Sequence, residues 1–288
     1  MNPYVQGLFS GLMNGATYAL LGIGLVLAFR TSRVLNLAHG ETFVVATVAI
    51  VFMLQLGAPL WAAIAVAILL TGLLYCALQR FTLQPRGHWP IGALILITLG
   101  AAFLVRGVVI LLIGAEPVSF PSLFTGAPVR IAGGVIPRQG VAMIVIGFGL
   151  SIAVTYLLSR TRIGKELIAT AENSQAAQLL GIDVNRARMI AYAVAAVLGA
   201  VSAVLLVPLI AIDYQIGLAM TTRGFIAAAI AGMSPGRTVV SGLFLGIFES
   251  MVIVFFGALF QDPVMFGLLI AVALWQSRSI RFGGGVRA

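Results

Sequence analysis

The eight residues 34–41, VLNLAHGE, place an amide, an imidazole and a carboxylate between two long apolar runs. An imidazole beside a carboxylate can move protons or ligate a metal, and an amide with an imidazole can hydrogen-bond between helices. Read as the first turn of a helix, the stretch sets Asn36, His39 and Gly40 at i, i+3 and i+4 on one face and points Glu41 elsewhere. Gly40 then lets a neighbouring backbone or a ligand come close. Three chemistries fit: a hydrogen-bonded helix junction, a gate or substrate contact on a translocation path, and a metal or proton site. A metal site needs more ligands, and the other histidine, His88, stands in a loop without a supporting carboxylate or cysteine, so the expectation for metal is none. An intramembrane enzyme is a poor fit. No G-x-S-x-G nucleophile motif accompanies His39 and Glu41, and their i, i+2 spacing turns them apart on a helix.

The elements that must hold these groups are set by solvent. Of the 288 residues, 61% are hydrophobic and 9% charged, with a mean hydropathy of +1.11, so water does not solvate most of the surface. Apolar segments fall at about 5–29, 42–56, 60–79, 91–113, 140–159, 189–212, 216–232, 238–257 and 263–276. Most approach the ~20 residues of helix that cross a bilayer core. The fold class is therefore all-α, a polytopic transmembrane helix bundle of about eight to nine spans. The weakest are 42–56, which is short, and 216–232, which contains Thr221, Thr222 and Arg223; broken helices at either lower the count. The opening MNPYVQ has no Lys or Arg before its apolar run, which reads as a retained span rather than a cleaved signal. Cys76, the single cysteine, can form no intrachain disulfide.

The net charge of +9 is spread between spans rather than gathered in a stripe, which speaks for topology and against nucleic acid. With the N-terminus outside, the inner loops hold thirteen basic residues: Arg30, Arg33, Arg80, Arg86, Arg160, Arg162, Lys165, Arg186, Arg188, Arg237, Arg278, Arg281 and Arg287. The outer loops hold two, Arg130 and Arg138, so the chain is expected N-out and C-in. Arg106, Arg223 and Glu249 fall inside spans, where polar groups face a bundle interior or a pathway, and an ion pair among them is an economical arrangement. Gly7, Gly11, Gly15 and Ala19 line one face of the first span, with similar stripes at Ala195, Gly199, Ala203 and at Gly242, Gly246; packing within the chain is favoured over subunit contact. The longest outer connection, 114–139, rich in Pro and Gly, reads as an ordered cap or a contact for a binding protein.

One inner loop, 161–188, is punctuated like a helix. Asn173 or Ser174 can cap Gln175 to Leu180, and Gly181 offers a C-terminal stop. Ala176, Leu179 and Leu180 give the short helix an apolar edge that the protein itself or a partner must cover.

On these residues the chain resembles the permeases of bacterial ABC importers of the branched-chain amino acid family, in the shorter, LivH-type form. The family's coupling loop is matched at Ala171, Asn173, Ala176, Ala177, Gly181 and Ile182, with Gly164 at its start. Its Asn-Leu-Ala-His-Gly after the first span is matched by Asn36, Leu37, Ala38, His39 and Gly40. Its late glycine stretch, usually Gly-Gly-x-Gly, is matched by Ala231, Gly232, Met233, Ser234, Pro235 and Gly236, a departure in both glycine count and spacing. The resemblance covers nearly the whole chain. It implies an ABC-importer permease fold in a single domain over 1–288, with the coupling loop at about 160–188, in the bacterial inner membrane. The implied partners are a paralogous permease in a heterodimer, two ATPase subunits, an extracytoplasmic solute-binding protein and membrane lipid. It implies transport of branched-chain or other hydrophobic amino acids, with urea and short amides as the alternative. Asn36, His39, Gly40, Glu41, Gly232, Gly236 and Glu249 are the candidates for the path or gate. The chain has no G-x-x-x-x-G-K-[ST] loop, so no cofactor is expected on it; ATP and Mg belong to the ATPase partners. An ion-coupled secondary transporter is the alternative class. It calls for paired midplane acids, where Glu249 stands nearly alone, and for no large helical inner loop.

Overall fold

The computed structural model describes residues 2–87 and 89–283, without the side chains of 276–283; His88 and Arg287 lie outside it. Eleven α-helices and one two-stranded hairpin appear among the described residues. The helices are α1 (Pro3–Ser32), α2 (Glu41–Gln55), α3 (Leu60–Ala77), α4 (Ile91–Ile113), α5 (Arg138–Arg160), α6 (Arg162–Glu172), α7 (Ser174–Leu179), α8 (Val184–Leu206), α9 (Ile216–Ile230), α10 (Pro235–Phe256) and α11 (Gln261–Gly283). A wider π turn, Leu78–Leu83, carries α3 on toward Arg86. Seven helices are long and apolar enough to cross a membrane; α2 and α9, apolar as well, have 15 residues each, about 22 Å at 1.5 Å per residue. The two segments that are weakest as spans in the sequence are the two short helices of the structure.

α1 is the axis of the bundle. Asn2 caps its start by accepting from the Tyr4 N–H, Pro3 follows at the first position, and most of the helix is buried against α5, α8, α9 and α10. The glycine stripe makes that centrality possible. A Cβ added at Gly11 would lie 2.6 Å from the Ile247 Cα, and one at Gly246 would lie 2.3 Å from the Gly15 nitrogen, so α1 and α10 touch backbone to backbone. On α8, a Cβ at Gly199 would lie 1.9 Å from Thr42 Oγ1 of α2. The small-residue stripes are thus used within the chain, as packing between its own helices.

The outer layer has the opposite character. α3, α4 and α5 are mostly exposed, and side chains such as Trp61, Leu73, Leu96 and Leu111 project outward. An apolar outer surface suits lipid as solvent. The 114–139 connection is ordered: β1 (Val129–Ile131) pairs antiparallel with β2 (Gly134–Ile136), and Gln6 of α1 bonds both the N–H and the C=O of Val135 at 3.0 and 3.1 Å.

Candidate functional site

The 34–40 stretch is not helical, against the expectation from spacing. α1 ends at Ser32, and Arg33 beyond it takes the left-handed conformation (φ 60°) with its N–H bonded to the Phe29 carbonyl. The chain then turns through short i to i+3 contacts, His39 N–H to Asn36 C=O and Glu41 N–H to Ala38 C=O, before α2 begins. The cause is local: the Asn36 side-chain oxygen takes the Ala38 N–H at 2.9 Å, the short-range competition by which Asn diverts backbone from a helix.

Backbone left open by this break is met by neighbouring helices. Thr98 of α4 accepts the Leu37 N–H at 3.0 Å, and Thr221 of α9 accepts the Gly40 N–H at 2.7 Å. Asn36 donates to the Tyr75 hydroxyl of α3 at 2.8 Å, and that hydroxyl lies 3.0 Å from His39 Nδ1. His39 Nε2 is 2.9 Å from the Leu21 carbonyl of α1, which can only accept, so Nε2 carries the proton and Nδ1 accepts from Tyr75. Asn36 is 1% and His39 0% exposed. Of the three chemistries open to this motif, both side chains do the first: they lock a helix junction by joining α1, α3 and the break.

Gly40 is the contact point with α9. A Cβ there would stand 1.8 Å from the Gly217 carbonyl oxygen and 2.6 Å from Thr221 Oγ1. Glu41, one residue on, reaches Arg106 of α4, whose Nε and Nη2 both lie on Oε1 at 2.9 and 2.7 Å. Its other oxygen, Oε2, is buried without a partner. Beside it opens a cavity of about 350 Å³ between α2, α3 and α4, bordered by Ala38, Glu41, Val45, Thr71, Leu74 and Leu104.

Glu249 is placed differently. It is fully buried, and its carboxylate receives the Tyr18 hydroxyl, Arg223 Nε at 2.8 Å and Gln261 at 2.7 Å, while Arg223 reaches Asp262 at 3.1 Å. This cluster ties α1, α9, α10 and α11 together, and its Arg223 and Asp262 border a cavity of about 230 Å³ that Arg106 also lines. The sequence marks Arg106, Arg223 and Glu249 as intramembrane charges without their pairing; the partners stand 65 and 26 residues apart in the chain. Thr71, Tyr75 and Thr98 do not stand out in the sequence, since one or two hydroxyls in an apolar helix carry no periodic signal.

At the α9–α10 turn, Gly232 (φ 62°) and Met233 (φ 55°) are both left-handed. Methionine thus occupies a conformation that glycine takes without steric cost. Gly236 is the second residue of α10, and a Cβ there would sit 3.2 Å from Thr155.

The candidate coupling segment is built as its punctuation implies. Asn173, not Ser174, caps α7 by accepting from Gln175 and Ala176, both at 3.0 Å. Gly181 (φ 79°) ends it, with the Ile182 N–H returning to the Ala177 carbonyl. Gly164 fits the α5–α6 corner, where a Cβ would meet the Leu158 carbonyl at 2.2 Å. Ala171 and Ala177 are buried and hold the segment to the bundle, whereas Leu179 and Leu180 are 90% and 79% exposed. Arg33, first residue after α1, donates to the Ala171 carbonyl at 2.6 Å at the C-terminus of α6. The break at 33–40 and the α6–α7 segment are therefore bonded to each other.

A polytopic helical bundle with a hydrogen-bonded break next to its central helix, and a short capped helix exposing two leucines at one end, defines a multi-pass membrane protein of the permease class. The chain belongs to the family described as branched-chain amino acid transport system / permease component, whose model matches residues 7–273. It is 32% identical to the high-affinity branched-chain amino acid transport system permease protein BraD of Pseudomonas aeruginosa, over 96% of this chain and 95% of that protein. It is 28% identical to the permease protein LivH of the same description from Escherichia coli K12, over 94% and 93%. A shorter likeness, 32% over 54% of this chain and 44% of the relative, links it to the autoinducer 2 import system permease protein LsrC of Klebsiella pneumoniae.

Proposed function

We propose that this chain is the permease subunit of an ATP-driven importer that passes branched-chain amino acids across the bacterial inner membrane. The observation that carries the reading is the likeness to BraD, which runs through 96% of the chain and 95% of that permease. Nine helical segments traverse or enter the membrane, α2 and α9 being the short ones, with the N-terminus outside and the C-terminus inside. The thirteen-to-two distribution of basic residues supports that orientation. A paralogous permease pairs with this chain, two ATPase subunits supply ATP and Mg chemistry on the inner face, and a solute-binding protein delivers substrate from outside.

Motion enters at α7. Its exposed Leu179 and Leu180 offer the apolar edge that an ATPase subunit covers, while buried Ala177 and Ala171 make the segment move with the permease body. Arg33 then passes displacement of α6 to the break at 33–40, whose contacts with α3, α4 and α9 define one of two arrangements. Closure of the ATPases biases the pair of permeases between outward-open and inward-open states. Asn36, His39 and Gly40 shape the path by holding the unwound segment, and Glu41 faces it; Gly232 and Gly236 shape the inner end of α9 and α10.

Labelled leucine uptake in cells with and without this gene tests the reading, with urea and a short amide as parallel tracers. Loss of leucine uptake that returns on complementation is the expected result. Unchanged leucine uptake with loss of the urea or amide signal would keep the importer and reject the substrate.

A further inference from the structure

The two ion pairs inside the membrane region meet at one cavity. About 230 Å³ in volume, it lies between α4, α9 and α11, with Arg106 on its α4 wall, Arg223 on α9 and Asp262 on α11. Gln215 and Thr222 join them, so five of its nine bordering residues are polar or charged. The cavity between α2, α3 and α4 is bordered mostly by apolar residues and suits lipid. This one does not, because ionised groups at membrane depth face a protein interior or a water-filled path.

Charge does not balance around it. Arg106 is matched by Glu41 and Arg223 by Glu249, which leaves Asp262 as a third carboxylate against two guanidiniums. Asp262 meets Arg223 through Oδ1 alone, at 3.1 Å, and its side chain is 69% exposed, so Oδ2 stands open. Each guanidinium also keeps one nitrogen outside its ion pairs. Arg106 places Nε and Nη2 on Glu41, and Arg223 places Nε on Glu249 and Nη2 on Asp262, which leaves Nη1 of both. Neither Nη1 is among the occluded side-chain atoms that lack a partner, so both keep accessible surface.

Open acceptors and open donors of opposite charge thus border one small space. A lone cation or a lone anion uses one kind, whereas a zwitterion uses both. The remaining lining, Leu218, Ala219, Met265 and Phe266, is apolar, and the volume lies below the roughly 300–1,000 Å³ of drug-sized pockets, which suits one small solute. Gln215 directly precedes α9 and Asp262 is the second residue of α11, so the cavity sits at the ends of these helices that face outward in the proposed orientation. Arg223 lies ~10 Å deeper along α9, at 1.5 Å per residue.

We propose that this cavity receives the zwitterionic head of a small aliphatic amino acid entering from outside. Its ammonium donates to Asp262 Oδ2, its carboxylate accepts from Nη1 of Arg106 and of Arg223, and its side chain lies along Leu218, Met265 and Phe266. The inference rests on the reading of the chain as an amino-acid permease and names the groups by which it recognises its cargo. Asp262 is a binding residue that the sequence does not mark.

The test uses the complete complex, this chain with its permease and ATPase partners in lipid nanodiscs, without the solute-binding protein. Binding of labelled leucine is competed with isoleucine, with 3-methylbutylamine, which is leucine without its carboxylate, and with 4-methylpentanoate, which lacks the amine. Isoleucine displaces leucine and neither single-charge analogue does. Asp262→Asn weakens leucine at least about tenfold, the scale of one hydrogen bond to a charged group, and Asp262→Glu restores part of the loss. Because the side chain is largely exposed, Asp262→Asn leaves the thermal midpoint in place, which separates binding from folding. Displacement by either analogue as strong as by isoleucine, or wild-type leucine binding by Asp262→Asn, overturns the site. In a Cys76→Ser background, Thr222→Cys reacts with a charged thiol reagent and leucine slows the reaction; no reaction without leucine places the cavity against lipid or protein and overturns the site as well. A wild-type complex that takes up no leucine yet binds labelled alanine through Asp262 keeps the zwitterion site and rejects the branched-chain reading. Normal leucine uptake by Asp262→Asn rejects the site alone.

Discussion

Tyr75 serves both polar side chains of the break, accepting a hydrogen bond from Asn36 and donating one to His39. Phenylalanine keeps the shape and removes the hydroxyl, leaving a buried amide donor and an imidazole acceptor unpaired. Tyr75→Phe is therefore expected to lower stability by about 1–3 kcal/mol, read as the thermal midpoint of the detergent-purified protein. An unchanged midpoint would mean that water replaces the hydroxyl. Two glycines give a contrast in the same assay. Gly40→Ala forces a methyl into the Gly217 carbonyl, an overpacking cost of at least roughly 1–3 kcal/mol, whereas Gly72, with nothing within 4 Å, gains up to about 1 kcal/mol of helix propensity as alanine. Equal responses would mean that α2 and α9 are not packed this closely.

The candidate coupling segment divides into a buried face and an exposed one. Leu179→Glu with Leu180→Glu is expected to leave membrane insertion and thermal stability unchanged and to abolish co-purification of the ATPase subunits, because both side chains already stand in solvent. Ala177→Glu buries a charge against the permease's own surface and is expected to lower the thermal midpoint of the isolated chain. Loss of docking by Ala177→Glu with no change in that midpoint would place the alanine in the partner contact instead. Arg33→Ala removes the bond between the break and α6. The expected outcome is an assembled complex that hydrolyses ATP and accumulates no leucine. Proportional loss of both activities would assign Arg33 to folding alone.

Across the molecule, the Glu249 cluster fastens α1, α9, α10 and α11. Removing one partner of a buried pair leaves the other charge uncompensated, so Arg223→Met is expected to cost about 3–5 kcal/mol. Adding Glu249→Leu recovers part of it in a double-mutant cycle. Additive effects would show that the two side chains do not share an energy. The proposed orientation is read by labelling single cysteines introduced after Cys76→Ser: one at Arg130 reacts in intact cells, and one at Arg162 reacts only after the membrane is opened. The reverse pattern would invert the chain.

Composition and run length alone determined the solvent, the all-helical class and the positions of nearly every helix, because burying backbone in lipid allows few alternatives. Charge distribution supports the proposed orientation, and Asn173 with Gly181 marked α7 within a residue, because caps are written in local chemistry. Only the tertiary structure decided that 34–40 is unwound. Its helical spacing was sound as spacing, but Asn36 had a nearer backbone partner, and Thr98, Thr221 and Tyr75 were in place to satisfy what a helix would have satisfied. It also decided which charges pair, with Glu41 going to Arg106 and Glu249 to Arg223. Period and composition record what lies along one helix, whereas these pairs are fixed by which helices the glycine stripes bring together. The cavity that Arg106, Arg223 and Asp262 share belongs to the same category, since three helices distant in the chain form it.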